Sequence, residues 1–153
     1  YFLKSGDGRN DAALIKELHQ ILQQALQLVY LDHSNHLFHQ TNYHIHYFEM
    51  RQAQNRILQD MASNINNCHL AASESLILAR LFSQTAKQLS QENPARGLLD
   101  EIDNYLTVFR ERPLPKTRQE FETRAMLLQL LRDLETFIKL KADFYRNYQE
   151  ETN

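Results

Sequence analysis

Residues 117–148 read TRQEFETRAMLLQLLRDLETFIKLKADFYRNY, and this stretch decides the fold. It opens with the pattern of a capping box, in which Thr117 accepts a hydrogen bond from the backbone N–H of Glu120 and the Glu120 side chain reaches back. Apolar residues then recur every three or four positions, which is typical of a bundle helix. They are Leu127, Leu130, Leu134, Phe137, Phe144 and Tyr148, and the stripe is widened by Phe121, Leu128, Leu131 and Ile138. Lys141 is the one break in that row.

The predicted helix is long for a chain of this size. From Thr117 to Tyr148 it would measure about 48 Å, whereas a compact domain of 153 residues has a radius of gyration of about 15 Å. We therefore expect either an elongated antiparallel bundle or a last helix that overhangs its neighbours.

Four further helical patterns precede this stretch. The first begins at Asn10 or Asp11, either of which can cap a helix, and a break is expected at residues 32–35, where polar side chains compete for backbone hydrogen bonds. The apolar residues that repeat at helical spacing in it are Leu14, Leu18, Ile21, Leu22, Ala25, Leu28 and Val29. The second pattern covers residues 41–67, the third about 73–91, and the fourth runs from Asn93-Pro94, a stop-and-restart signal, to Pro113. The sequence predicts an all-α fold, an elongated antiparallel helical bundle of four to five helices, with residues 10–153 as a single domain.

Composition supports this fold class and excludes others. The chain has only 3 Gly and 3 Pro, too few for the regular turns of a sheet protein. Its formal net charge of −2 offers no basic surface for phosphates, so we expect no nucleic-acid partner. The single Cys68 cannot form an internal disulfide. No run of about 18 apolar residues, the length that spans a membrane, is visible.

Histidine is the metal-ligating residue type most concentrated in the sequence. His33, His36 and His39 recur every three positions, so on a helix they would lie near one face, where they could hold zinc. His44 and His46 follow closely. Because no carboxylate or thiolate completes a usual ligand spacing, we expect no metal and interpret these histidines as a polar junction between helices.

Four residues of the second helical pattern could form a ligand pocket. Tyr43, Tyr47 and Phe48 beside Arg51 would give an aromatic pocket with a cationic end, which suits an aromatic carboxylate. The alternative, which we favour from sequence alone, is ordinary bundle core with Arg51 in solvent.

Catalytic motifs are absent from the sequence. A di-iron bundle needs Glu-x-x-His on two helices, and no such pair occurs. Gly6-Asp7-Gly8 lacks the third glycine and the preceding strand of a phosphate-binding loop. We therefore expect no catalytic residues, no cofactor and no enzymatic activity.

Two segments resemble the C-terminal domain of the bacterial aromatic acid exporter family. One runs from Arg112 to Ala125 and reads RPLPKTRQEFETRA; the other runs from Tyr43 to Gln54 and reads YHIHYFEMRQAQ. Their order and spacing agree with the family, and the resemblance covers most of the chain. In the first segment the motif residues have an architectural character: Pro115 holds Leu114 extended. The motif residues are Pro113, Pro115, Thr117, Arg118, Glu120, Phe121 and Arg124.

The resemblance implies a partner and a location for this domain. The parent protein would have an N-terminal membrane-spanning half, and residues 1–9 would be a flexible lead-in from that upstream region, which is missing from this sequence. The chain begins at Tyr1 rather than Met, which agrees with this expectation. The domain would then lie at the cytoplasmic face of the cell membrane, as an accessory domain with a regulatory or assembly role. The alternative is a stand-alone helical module that binds other proteins or a small ligand.

The end of the last helix is a candidate contact surface. Phe144, Tyr145 and Tyr148 extend beyond the part that a bundle of four or five helices would cover, and aromatic residues are enriched at interface cores. We expect them to contact a second copy in a homo-oligomer or the membrane half. The alternative is packing onto the first helix of the same chain.

Overall fold

The computed structural model describes residues 12–35, 42–67, 72–88 and 96–150, which contain five α-helices and no strand. In chain order the helices are α1 (Ala12–Asn35), α2 (Asn42–Asn66), α3 (Ala72–Gln88), α4 (Arg96–Glu111) and α5 (Arg118–Glu150). The prediction of an all-α bundle of four to five helices is therefore confirmed.

Helix α5 is the element on which the bundle is built. Its 33 residues make it about 50 Å long, and it packs against α2, α3 and α4. Helix α1 packs against α2 and against no other helix in the described part of the chain. The arrangement is therefore asymmetric, with α1 on the outside.

Hydrogen bonds between helices show that neighbours run antiparallel. Near the start of α1 the Ile15 carbonyl accepts a bond of 3.4 Å from Asn55 Nδ2 in the middle of α2. Near the end of α1 the Tyr30 hydroxyl donates to Glu49, close to the start of α2, at 2.5 Å. The ion pairs Arg80–Glu101 and Glu74–Arg112 likewise show that α3 and α4 run antiparallel.

The hydrophobic core lies between α5 and the helices around it. Each of the four helices α2–α5 contributes side chains, because the apolar stripe of α5 is wide enough to face three neighbours. The core residues are Met61, Leu78, Leu81, Leu98, Ile102, Leu106, Phe109, Leu127, Leu130, Leu131, Leu134 and Ile138. Helix α1 contributes none of them.

The start of α5 has the hydrogen bonds of a helix cap. Thr117 Oγ1 accepts from the Glu120 N–H at 3.1 Å, and the Thr117 carbonyl accepts the first helical bond, from Phe121 N, at 3.1 Å. The Glu120 carboxylate accepts from the N–H of Lys116 at 2.7 Å, one residue before the usual position. Two backbone N–H groups that no helical carbonyl can reach are thereby satisfied.

The apolar residues that repeat at helical spacing along α1 are largely exposed. Leu22 is buried, whereas Leu14, Leu18, Ile21 and Leu28 are exposed. The physical reason is that α1 packs against one helix, which covers a narrow strip of its surface. The described helix α1 ends at Asn35, the last residue of the segment 32–35 where a break is expected. Its polar residues are accommodated in the last turn because their intrinsic helix propensity is only a few tenths of a kcal/mol below average.

Candidate functional site

An aromatic cluster joins the start of α2 to the end of α5. Tyr43 and Tyr47 lie one turn apart on α2 and stack with 6.2 Å between ring centroids and 15° between planes. Phe144 of α5 packs against both rings, at 5.3 Å and 5.8 Å. Tyr145 meets Phe144 edge-on at 5.3 Å. We call these four residues the aromatic cluster, and it exists because the two helices run antiparallel.

Arg51 lies one further turn along α2 and is held by its neighbours. Its Nε donates to the Tyr47 hydroxyl at 3.1 Å and its Nη1 donates to Gln54 Oε1 at 3.1 Å. The buried Gln54 in turn donates 2.8 Å to the Phe137 carbonyl of α5. The guanidinium carbon is 5.1 Å from the Tyr47 ring centroid, a cation–π distance. Arg51 is therefore positioned by both helices.

A second cation, Lys141, lies beside Arg51 on α5. Its side chain is 1% exposed, and its Nζ is 5.5 Å from the centroid of the Tyr145 ring. Burial lowers the pKa of the Lys141 ammonium, and the positive charge of Arg51 lowers it further. Two positive groups thus lie in one partly dehydrated region, where an anion would be stabilised.

The phenol of Tyr145 stays protonated in this environment. Burial raises the pKa of Tyr145, and the neighbouring phenols of Tyr43 and Tyr47 raise it further, against a smaller lowering by Arg51. A protonated phenol can donate a hydrogen bond, and in the structure the side chain of Tyr145 is hydrogen-bonded to that of Tyr43.

Two clefts meet at Arg51. The first has a volume of about 330 Å³ and is lined by Tyr43, His44, Tyr47, Phe48, Arg51 and Tyr145. The second, of about 320 Å³, lies on the α1 side and is lined by Leu18, Leu22, Tyr47, Phe48, Arg51, Gln54, Asn55, Leu58 and Phe137. We call the first one the Arg51 cleft. Its volume lies in the range of small-molecule sites.

All four residues of the pocket hypothesis line the Arg51 cleft, so the structure brings Tyr43, Tyr47, Phe48 and Arg51 together. Sequence reasoning did not include Tyr145 and Lys141 in this site. The signal for Lys141 was its place in the apolar row of α5, where a lysine is unusual. Nothing in the sequence indicated that this row faces Arg51.

The histidine alternative falls largely outside the described residues. His36 and His39 lie there entirely, and of His33 the structure describes only the helical backbone. His46 Nδ1 lies 3.1 Å from Glu49, and His44 packs edge-on against Tyr43. Within the described ranges no group of three His, Cys, Asp or Glu residues could hold a metal ion.

The motif residues lie near the start of α5, at the opposite end of that helix from the Arg51 cleft. Arg124 donates to the Pro113 carbonyl at 2.6 Å, and its guanidinium lies 5.8 Å from the Phe109 ring. Arg118 pairs with Glu122 at 2.8 Å on an exposed surface, where such a pair contributes little. From Arg124 to Lys141 is about 25 Å along the helix, so the motif shapes the α4–α5 turn and lies far from the Arg51 cleft.

Phe121, another motif residue, is exposed and lines a separate cleft of about 520 Å³ between the end of α2 and the start of α5. Lysine, arginine and histidine are all missing from the described residues that line it. Its volume is larger than that of the Arg51 cleft, but the charged residue among its described lining residues is Glu122, whose carboxylate would repel a carboxylate ligand.

The packing of Phe144 removes this residue from the expected contact surface at the end of α5. This side chain is buried against Tyr43 and Tyr47 of α2 rather than against the first helix. It is therefore unavailable to a partner. The side chain of Tyr148 lies outside the described residues.

Comparison with known proteins identifies the family. The family described as "Putative aromatic acid exporter C-terminal domain" matches residues 1–142. The chain belongs to this family. It is a transporter-associated domain family rather than a class of enzymes. No solved structure matches the chain.

A curated relative extends the comparison to a longer protein. The chain is 30% identical over 143 residues to the uncharacterized protein YqjA of Bacillus subtilis (strain 168). The match covers 94% of this chain and 44% of the relative, so the chain spans less than half the relative's length. In the described part of this exporter-family domain, no helix has the length and apolar character needed to cross a bilayer.

Proposed function

We propose that this domain is the cytoplasmic accessory domain of an aromatic acid exporter and that it regulates the exporter by binding an aromatic carboxylate in the Arg51 cleft. Its partner is the membrane-spanning half of the same protein. The family match supports the link to export, and the greater length of the relative leaves room for such a half. The observation that carries the ligand proposal is Arg51, a guanidinium held in place within an aromatic cleft.

Arg51 suits a carboxylate because its orientation is already set. The bonds from Nε to Tyr47 and from Nη1 to Gln54 hold the plane of the guanidinium. A donor that is ordered before binding loses less conformational entropy on binding. Arginine pairs with carboxylates through charge-assisted hydrogen bonds, and the adjacent positive charge of Lys141 strengthens the attraction.

The rings that line the cleft favour an aromatic ligand over an aliphatic one. Tyr43, Tyr47 and Phe48 give three aromatic walls, and offset or edge-to-face ring pairs contribute about 0.5–1.5 kcal/mol beyond the burial of area. The ligand would therefore place its carboxylate at Arg51 and its ring against these walls.

Ligand binding would reach the rest of the domain through α5. The cleft is formed by α2 together with Tyr145, and Arg51 is tied to the α5 backbone through Gln54. A ligand that contacts both helices stabilises the arrangement in which they are close, and an equilibrium shifts only by such differential affinity. The membrane half would respond to that shift.

The experiment is a calorimetric and thermal-stability titration with benzoate, using benzamide and acetate as controls. Benzoate should bind and raise the melting temperature, and at 100 times its dissociation constant the stabilisation is about 2.7 kcal/mol. Benzamide lacks the charge and acetate lacks the ring, so both should bind at least tenfold more weakly.

Arg51→Gln should abolish benzoate binding, whereas Arg118→Gln, which removes an exposed arginine of α5, should not. Equal affinities for benzoate and benzamide, or benzoate binding that survives Arg51→Gln, would contradict the ligand proposal.

The cytoplasmic location is tested on the full-length protein. Residues 112–116 lie between α4 and α5 and end with the exposed Lys116, which Thr117 follows. Trypsin added to inside-out membrane vesicles should cut after Lys116, and trypsin added to right-side-out vesicles should not. The opposite pattern would place the domain on the outer side.

A further inference from the structure

The outer face of α1 carries a row of apolar residues that the other four described helices leave exposed. Leu14, Leu18, Ile21, Ala25 and Leu28 follow one another at intervals of 4, 3, 4 and 3 residues. This is the spacing of the core positions of a coiled coil. The exposed fractions are 70% for Leu14, 39% for Leu18, 53% for Ile21 and 66% for Leu28, and Leu31 beside them is 61% exposed. We call these six residues the α1 seam.

The α1 seam lies beside the face by which α1 packs on α2, and Leu18 borders both, since it also lines the second cleft at Arg51. Leu22 is the buried residue of α1, and Ile15 and Val29 at intervals of seven on either side of it are half-buried. These three positions lie next to the seam on the helix surface. Helix α1 thus carries two adjacent apolar strips, of which α2 covers one.

From these observations we infer that the α1 seam binds the α1 seam of a second copy of this chain, so that the protein forms a homodimer through a helix pair. The partner should be a helix with the same period, because side chains that recur every 3.5 residues interlock only with side chains that recur at the same interval on the facing helix. The same helix on a second copy supplies such a row, and a two-fold axis brings the two identical surfaces together.

The distribution of charged residues along α1 is compatible with a second copy of the chain as the partner. Between Ala12 and Asn35 the residues Lys16, Glu17 and Asp32 are the only acidic or basic ones besides histidine, and none of the six seam residues is charged. Asp32, four residues after Leu28, takes the next core position of this period, so it bounds the seam at its C-terminal end and leaves the centre of the seam without charge. A lipid surface is a poorer occupant, because a helix that lies on a membrane has a polar face rich in lysine and arginine, whereas that of α1 is rich in glutamine.

The area of the seam sets an upper limit on the interface. With about 180 Å² for a fully exposed leucine-sized residue, the exposed fractions amount to at most about 500 Å² per copy, and two copies together reach at most the 1,000 Å² or so at which specific interfaces begin. We therefore expect a reversible dimer rather than a permanent one.

The test is sedimentation equilibrium of this 153-residue chain between about 1 and 500 µM. The average mass should rise with concentration from the 18.1 kDa of one chain towards twice that value. Leu28→Glu should weaken the association at least tenfold, and Ile21→Glu should do the same. Both residues are exposed in the single copy, so circular dichroism should show that both variants remain folded.

Leu76→Glu is the matched control, because Leu76 is a leucine of α3 that is 56% exposed and lies outside the seam. It should leave the association unchanged. A wild-type chain that stays monomeric at every concentration would overturn the proposal, and would indicate that another segment, such as residues 1–11 or the membrane half, covers the seam. An effect of Leu76→Glu equal to that of Leu28→Glu would overturn it as well.

Discussion

Replacing Lys141 with methionine should make the domain more stable and its ligand site weaker. Lys141 is 1% exposed, and methionine has a similar length and an unbranched stem, so the substitution leaves the packed volume nearly unchanged. What it removes is the ammonium group, whose pKa is lowered by burial and by Arg51. A lowered lysine pKa means that the folded state disfavours the charged form.

The magnitude follows from two opposing contributions. Removing a dehydrated charge next to another cation stabilises the fold by about 2–3 kcal/mol. Losing the cation–π contact with Tyr145, at 5.5 Å, together with the further interaction that Lys141 makes, costs about 1–2 kcal/mol. The net gain is about 1 kcal/mol, which raises the melting temperature by about 2–4 °C for a domain of this size.

The pH dependence has a definite sign. In the unfolded chain Lys141 titrates near 10.5, and in the folded chain its pKa is lower. The unfolded state therefore binds more protons between these two values, so wild-type stability gains from this group as pH rises through that window. The advantage of Lys141→Met should be full below the lowered pKa and should shrink as pH approaches 10.5.

Thermal and chemical denaturation followed by circular dichroism at several pH values measure this difference. Lys139→Met is the control, because Lys139 lies two residues away on the same helix but is exposed and paired with Glu135; its effect should stay within about 0.5 kcal/mol. In calorimetry, benzoate should bind Lys141→Met more weakly than wild type. If Lys141→Met lowers the stability at neutral pH, the hydrogen-bonding and ionic contacts of the ammonium outweigh its dehydration, and the reasoning is wrong.

Two further predictions concern the fold. Thr117→Ala should cost on the order of 1 kcal/mol, because it removes the cap bond to the Glu120 N–H; an unchanged midpoint in urea would mean that the cap contributes nothing. Leu130→Ala should cost about 3–5 kcal/mol, since Leu130 is fully buried in the core and truncation leaves a cavity. A cost of less than about 1 kcal/mol at Leu130, measured in the same way, would indicate a loosely packed core.

The fold class was predictable because its signals are local. Four consecutive residues, Thr117 to Glu120, predict the start of α5. In the structure the side chains of Thr117 and Glu120 both accept hydrogen bonds from backbone N–H groups there. Helix period and helix number likewise depend on neighbours three or four positions apart. The described part of α3 begins at Ala72, one residue before the expected start at about residue 73, and its expected end at residue 91 lies outside the described residues.

The candidate site was predictable only in part. Tyr43, Tyr47 and Arg51 lie one turn apart on a single helix, so their common face follows from the helical period. Lys141 and Tyr145 join them from α5, and the hydrogen bond that ties the two sides together joins Gln54 to Phe137, 83 residues away. No pattern along the chain indicates which two helices meet over such a separation.

The sequence by itself determined the five helices, the cap of α5 and the apolar face that each helix carries, because these depend on propensity and on spacing within one or two turns. Only the tertiary structure decided which faces are covered. It left α1 outside the core with a row of exposed leucines, and it buried Lys141 beside Arg51. The physical reason is that burial depends on how many neighbours pack around a helix, and α1 has one described neighbour where α5 has three.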